Sequence, residues 1–166
     1  KERFRGGEFF SSMKSVITIH NLKFQGKWDI KTVRNITGLS DYFFAADKLE
    51  AYKDANLLKG GIVYADAVTT VSDTYAEEIK TPFYGEGLDG LLRARSGDLR
   101  GIVNGIDVDS LNPATDPAVP FNYSVDDMSG KAACKEALQR ELGLEVNAGR
   151  PLVAMVTRLT KQKGLD

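Results

Sequence analysis

Four short runs of β-branched and aliphatic residues, each closed by polar residues, constrain the fold more than any other feature of this 166-residue chain. They are "KSVITIH" (Lys14 to His20), "AVTTVS" (Ala67 to Ser72), "RGIVNGID" from Arg100, and "PLVAMVT", with a buried strand expected over Leu152 to Thr157. Between them lie helical patterns. "NLLKGGIVYA" spans Asn56 to Ala65 despite two glycines. "SDTYAEEIK" starts with Ser72 as its N-cap and acids in its first turns. "EGLDGLLRARSG" and "KAACKEALQRELGL" complete the set. Short apolar strands alternating with helices predict an α/β fold whose parallel sheet is covered on both faces.

Two stretches interrupt the alternation. "NLKFQGKWD" is irregular and carries the only tryptophan, Trp28, which with Phe24 reads either as core or as an apolar surface for a sugar ring. From Leu111 to about Met128, "LNPATDPAVPFNYSVDD" holds three prolines and no periodicity, and reads as a crossing between domains.

Charge and composition exclude several functions. With 22 Lys+Arg against 23 Asp+Glu, the chain lacks the basic excess of a general nucleic-acid binder. No apolar run approaches the roughly 18 residues needed to span a bilayer, and the first residues lack the apolar core of a secretory signal. One cysteine, Cys134, permits no internal disulfide and fits a reducing cytoplasm. With His20 the only histidine and no cysteine pair, no metal site is expected.

In open parallel sheets, ligands bind beyond the carboxyl ends of the strands. Three strand exits carry polar residues: His20 and Asn21, then Asn104 and Gly105 in an expected Asn-Gly turn, then Arg158 and Lys163 with Lys161 between them. A guanidinium and an ammonium five positions apart suit a diphosphate, with Gly164 admitting close backbone approach and a helix N-terminus expected beyond it. The same run also reads as a solvated basic turn. His20 reads as a satisfied strand-end histidine or as a donor or general acid/base for a ligand hydroxyl. Asn104 alone reads as a turn residue, and Glu86 and Asp89 as helix N-terminal charges in preference to a catalytic pair. Neither GxxxxGK[ST] nor a GxGxxG following a strand is present.

Taken in order, "ITIHNLKFQG", "LLKGGIVYADAVTTVSDTYAEEI", "YGEGLDGLL", "GIVNGIDVDSLNPATD" and "TRLTKQKGLD" resemble the bacterial glycogen synthases and starch synthases over nearly the whole chain. The resemblance implies a retaining glucosyltransferase of the GT-B type, built from two Rossmann-like domains. Such an enzyme moves glucose from ADP-glucose to the nonreducing end of an α-1,4-glucan, with no cofactor or catalytic metal. Carried over by position, Arg158 and Lys163 match the cations on the donor diphosphate. His20 matches the histidine that contacts the transferred glucose, and Asn104 an asparagine of the sugar site. Asn21, Gly105 and Gln162 fall in the same motifs without a separate role.

The resemblance also implies boundaries. Residues 1–115 match the later part of the N-terminal domain, 116–128 the interdomain crossing, and 129–166 the start of the C-terminal domain. The family's lysine-glycine-glycine donor loop and its acidic residues near the sugar and ribose have no counterpart here. The chain is therefore expected to be a central fragment, inactive alone. The expected partners are ADP-glucose and glucan, with neither nucleic acid nor membrane.

Overall fold

The computed structural model describes residues 4, 6–160 and 163–164, and these divide into two compact units, 1–105 and 106–166. The first unit runs α1 (Glu8–Ser11), β1 (Val16–Ile19), β2 (Lys27–Asp29), α2 (Ile30–Thr37), β3 (Glu50–Ala51), β4 (Asp54–Asn56), α3 (Leu57–Tyr64), β5 (Ala67–Thr70), α4 (Asp73–Glu78), α5 (Asp89–Ala94) and β6 (Leu99–Gly101). The second contains α6 (Ser129–Glu141).

The predicted parallel sheet is present, in the order β1-β5-β6, with Ile17 beside Val68 and Val68 beside Leu99. Alternation along these strands decides which face is buried. Ile19, Val68, Thr70 and Leu99 point into a core completed by Leu22, Ile62 of α3, Ala76 of α4, Ile79, Leu88 and Leu92 of α5. Each fully buried Val, Leu or Ile side chain among these contributes about 1.5–3 kcal/mol through burial. The opposite face departs from expectation. Val16 and Thr18 are exposed there, and the Thr18 and Thr69 hydroxyls hydrogen-bond each other at 2.8 Å, so among the described residues the sheet is covered on one face only.

The two glycines of α3 have a packing reason. A Cβ at Gly60 would press on the Leu49 side chain, and one at Gly61 on Ile17, so the helix lies against its neighbours without side chains between. Asn56 caps α3 by accepting the Lys59 N–H at 2.9 Å, and Ser72 caps α4 by accepting the Tyr75 N–H at 2.9 Å, as its sequence predicts.

A second, antiparallel sheet, β2-β4-β3, was not expected from the sequence. Its hairpin turns on Tyr52 and Lys53, both in the left-handed region at φ 56° and 73°, where Asn-Gly is the usual signal. Asp29 starts α2 by accepting the Thr32 N–H, and Gly38 at φ 63° ends it. This layer has its own small core of Val33, Phe44, Leu49 and Ala55.

In the second unit, α6 forms where the sequence places a helix. The segment before it folds back locally: Asn122 donates to the Pro113 and Asp116 carbonyls, and Gly130 leaves room for the Asn122 backbone. The expected strand over Leu152 to Thr157 is not formed. Its residues are in irregular conformation, with Val153 and Val156 almost wholly exposed. An apolar run becomes a buried strand only beside other strands, and among the described residues this unit holds none.

Candidate functional site at the carboxyl edge of the parallel sheet

At the exit of β1, two core residues bracket the candidate ligand contacts. Ile19 and Leu22 are both buried, so the backbone of His20 and Asn21 is held between two fixed points while His20 itself is exposed. The Leu22 N–H donates to the Tyr75 hydroxyl of α4 at 3.2 Å. Asn21 closes the turn, its Oδ1 accepting the Lys23 N–H at 3.0 Å.

Asn104 lies past the exit of β6. The Ile102 N–H still donates to Thr70 at 2.7 Å, continuing the ladder one step beyond β6. From there residues 102–107 run without a turn, and Asn104 and Gly105 are exposed. The expected Asn-Gly turn is thus not made. The chain turns instead after Asp107, whose carboxylate accepts the Ser110 and Asp109 N–H groups at 3.0 and 3.1 Å. The Ser110 bonds, then that of Asp109, hold its pKa below the ordinary carboxylate range. The segments carrying His20 and Asn104 therefore leave the same edge of one sheet, from strands β1 and β6 on either side of β5.

Behind this edge runs a chain of amide hydrogen bonds. Asn56 Nδ2 donates to Gln25 Oε1 at 2.7 Å, and Gln25 Nε2 donates to the Glu86 carbonyl at 3.0 Å. Gln25 is 5% exposed and Asn56 is fully buried. Neither stands out in the sequence as a buried amide. An Asn opening an apolar helical run signals an N-cap, but nothing in "FQG" marks the glutamine as buried.

Arg158 and Lys163 lie in the second unit, both exposed. The Thr160 N–H donates to the Arg158 carbonyl, and the Lys163 N–H to the Thr160 carbonyl, each at 2.9 Å. Lys161, Gln162 and the helix expected after Gly164 lie outside the described residues.

Other candidates resolve simply. Trp28 and Phe24 are exposed, not core. Asp89 sits in the first turn of α5 and pairs with Arg93 at 2.7 Å, as a helix N-terminal acid should. Cys134 on α6 lies with its Sγ 3.0 Å from the Phe121 carbonyl. Among the described residues no group of three His, Cys, Asp or Glu side chains could hold a metal ion, and no helix is long and apolar enough to cross a membrane.

Comparison with known proteins adds family context. A family model described as the starch synthase catalytic domain matches residues 1–94. The chain is 65% identical to a glycogen synthase of Lachnospira eligens over its whole length, covering 35% of that protein. It is 55% identical to a glycogen synthase of Lachnoclostridium phytofermentans, covering 99% of this chain and 35% of that one. Among solved structures it is similar to the catalytic domain of starch synthase IV from Arabidopsis thaliana bound to ADP and acarbose, with a TM-score of 0.75 and 36% identity over 82% of this chain and 28% of that one. The chain thus spans about a third of the length of the curated relatives it matches.

Proposed function

The chain belongs to the starch synthase catalytic domain family, and from that premise we propose that it forms part of a retaining GT-B glucosyltransferase of the cytoplasm. The reaction breaks the bond between glucose C1 and ADP and joins C1 to the 4-hydroxyl at the nonreducing end of an α-1,4-glucan, without a catalytic metal. One observation carries the reading. His20 and Asn104 leave the carboxyl edge of a single parallel sheet in a chain 65% identical, end to end, to a glycogen synthase.

The roles are those the family resemblance implies for these positions, and the chemistry of each group suits them. His20, fixed between Ile19 and Leu22, donates a hydrogen bond to a hydroxyl of the transferred glucose, and the Asn104 amide contacts the same sugar. Arg158 and Lys163 meet the diphosphate and neutralise charge as ADP departs, the guanidinium gripping two oxygens and the ammonium acting as a point charge. Both cations are open to solvent in this chain, and their contribution rises when the bound donor excludes water. On this reading residues 116–128 link the two catalytic domains.

A hybrid tests the proposal. This chain replaces the homologous segment of the Lachnospira eligens synthase, and turnover is measured with ADP-glucose and UDP-glucose on glycogen. Transfer from ADP-glucose at a rate near that of the parent is expected. A folded hybrid that binds glycogen but transfers no glucose from either donor would overturn the proposal.

A further inference from the structure

We infer that Gln25 is a positioning residue for the proposed glucosyl transfer: its side-chain amide locks the loop after β1, which carries His20, to the glycine-rich loop Gly85–Leu88. The inference rests on the transferase reading and names a residue that acts through others.

The polarity of the amide chain is fixed from both ends by the backbone. Asn56 Oδ1 takes the Lys59 N–H at 2.9 Å, so Nδ2 is the atom that faces Gln25. Gln25 must then offer Oε1 to Asn56, which leaves Nε2 for the Glu86 carbonyl at 3.0 Å. Turning either amide would set donor against donor or acceptor against acceptor in a site that water barely reaches. The Gln25 carbonyl also accepts the Leu58 N–H at 3.0 Å, so residue 25 is tied to α3 by backbone and side chain together.

The far end of the chain of bonds is a strained backbone. Glu86 is in the left-handed region at φ 48°, followed by Gly87 at φ 79°, and its side chain is exposed. Glu86 contributes its carbonyl to the relay, and the Gln25 amide holds that carbonyl in place. Leu22 and Leu88, one from each loop, then share the main core. The segment bearing His20 and the glycine-rich loop therefore move as one piece. A misplacement of about 1 Å in a positioning element can cost 100-fold in rate.

The test uses the hybrid synthase and the 166-residue chain side by side. Gln25→Leu removes both amide bonds. Asn56→Asp keeps the helix cap but puts an acceptor where Gln25 needs a donor, turning its amide away from Glu86. Glu86→Ala leaves the relay carbonyl intact. Gln25→Leu and Asn56→Asp are expected to lower kcat by about tenfold or more while KM for ADP-glucose stays within about threefold. Glu86→Ala is expected to change neither. In the chain alone, amide hydrogen exchange in Gln25→Leu should speed up in both loops together, at Leu22 and at Leu88. An unchanged kcat in a folded Gln25 or Asn56 variant overturns the inference while the transferase reading stands. If the unsubstituted hybrid transfers no glucose, the transferase reading fails, and the inference fails with it. Faster exchange confined to one loop would overturn the coupling separately.

Discussion

Asn56 and Gln25, 31 residues apart, meet through a 2.7 Å hydrogen bond between side-chain amides that solvent scarcely reaches. This bond joins the layer of β2, β3 and β4 to the loop leaving β1, because Asn56 ends β4 and caps α3 while Gln25 lies just before β2. Removing one partner would leave a buried polar group unsatisfied, and the expected penalty is about 1–3 kcal/mol. Only variants at these positions that remain folded therefore bear on the positioning role.

Gly101 should tolerate no side chain. A Cβ there would collide with the backbone of Ser72 and Asp73, where β6 passes the start of α4, and backbone yields poorly. Gly101→Ala is expected to destabilise the chain by about 2 kcal/mol or more. Gly97→Ala, which meets nothing within 4 Å, should leave thermal unfolding almost unchanged. Similar midpoints for the two variants would contradict the packing described.

Arg95 acts as a C-terminal cap for α3. Its guanidinium donates to the Ile62, Val63 and Ala65 carbonyls and pairs with Asp98 at 2.9 Å, with its side chain 18% exposed. Arg95→Met keeps much of the stem and removes the fork, and should lower stability by about 1.5–3 kcal/mol in denaturant unfolding. Arg95→Lys should recover only part of the loss, since one compact ammonium replaces guanidinium nitrogens that separately reach the α3 carbonyls and Asp98.

Asp29 gives a pH signature. The Thr32 hydroxyl and then the Thr32 N–H hold its carboxyl below the ordinary carboxylate range. A lowered folded-state pKa means that the stabilisation is complete above the unfolded value of about 3.9 and disappears as pH falls through the folded value. Asp29→Ala should therefore be less stable than the parent at neutral pH, with the gap closing in acid. A constant gap from pH 7 to pH 2 would exclude the cap as its source.

The second unit should open before the first. All the buried apolar side chains among the described residues lie at or before Leu99, and in the second unit the one buried residue is Gln139. Limited proteolysis is expected to cut first beyond residue 105, leaving the parallel-sheet unit intact. Early cleavage within β5 or α4 would show a different hierarchy.

How much of this was legible in the sequence depended on whether the signal was local. Asn56 to Ala65 reads as a helix because its apolar spacing is contained in ten residues, and Ser72 announces its own role as a cap. Tyr52-Lys53 gives no such notice. Two left-handed residues without glycine or asparagine are imposed by the strands they join. Leu152 to Thr157 misled in the opposite direction, because an apolar run has strand character only where neighbouring strands supply hydrogen-bond partners. At the site, His20 was visible through its position at a strand exit. Gln25 was not, since its burial comes from the distant Asn56 and Glu86.

The most direct measurement of the central claim is turnover against glucan binding in the hybrid synthase carrying Arg158→Ala or Lys163→Ala. If these cations neutralise departing ADP, each change should lower kcat by about 100-fold or more while glycogen binding is retained. Glucose transfer that continues at the parent rate in both variants would contradict the account.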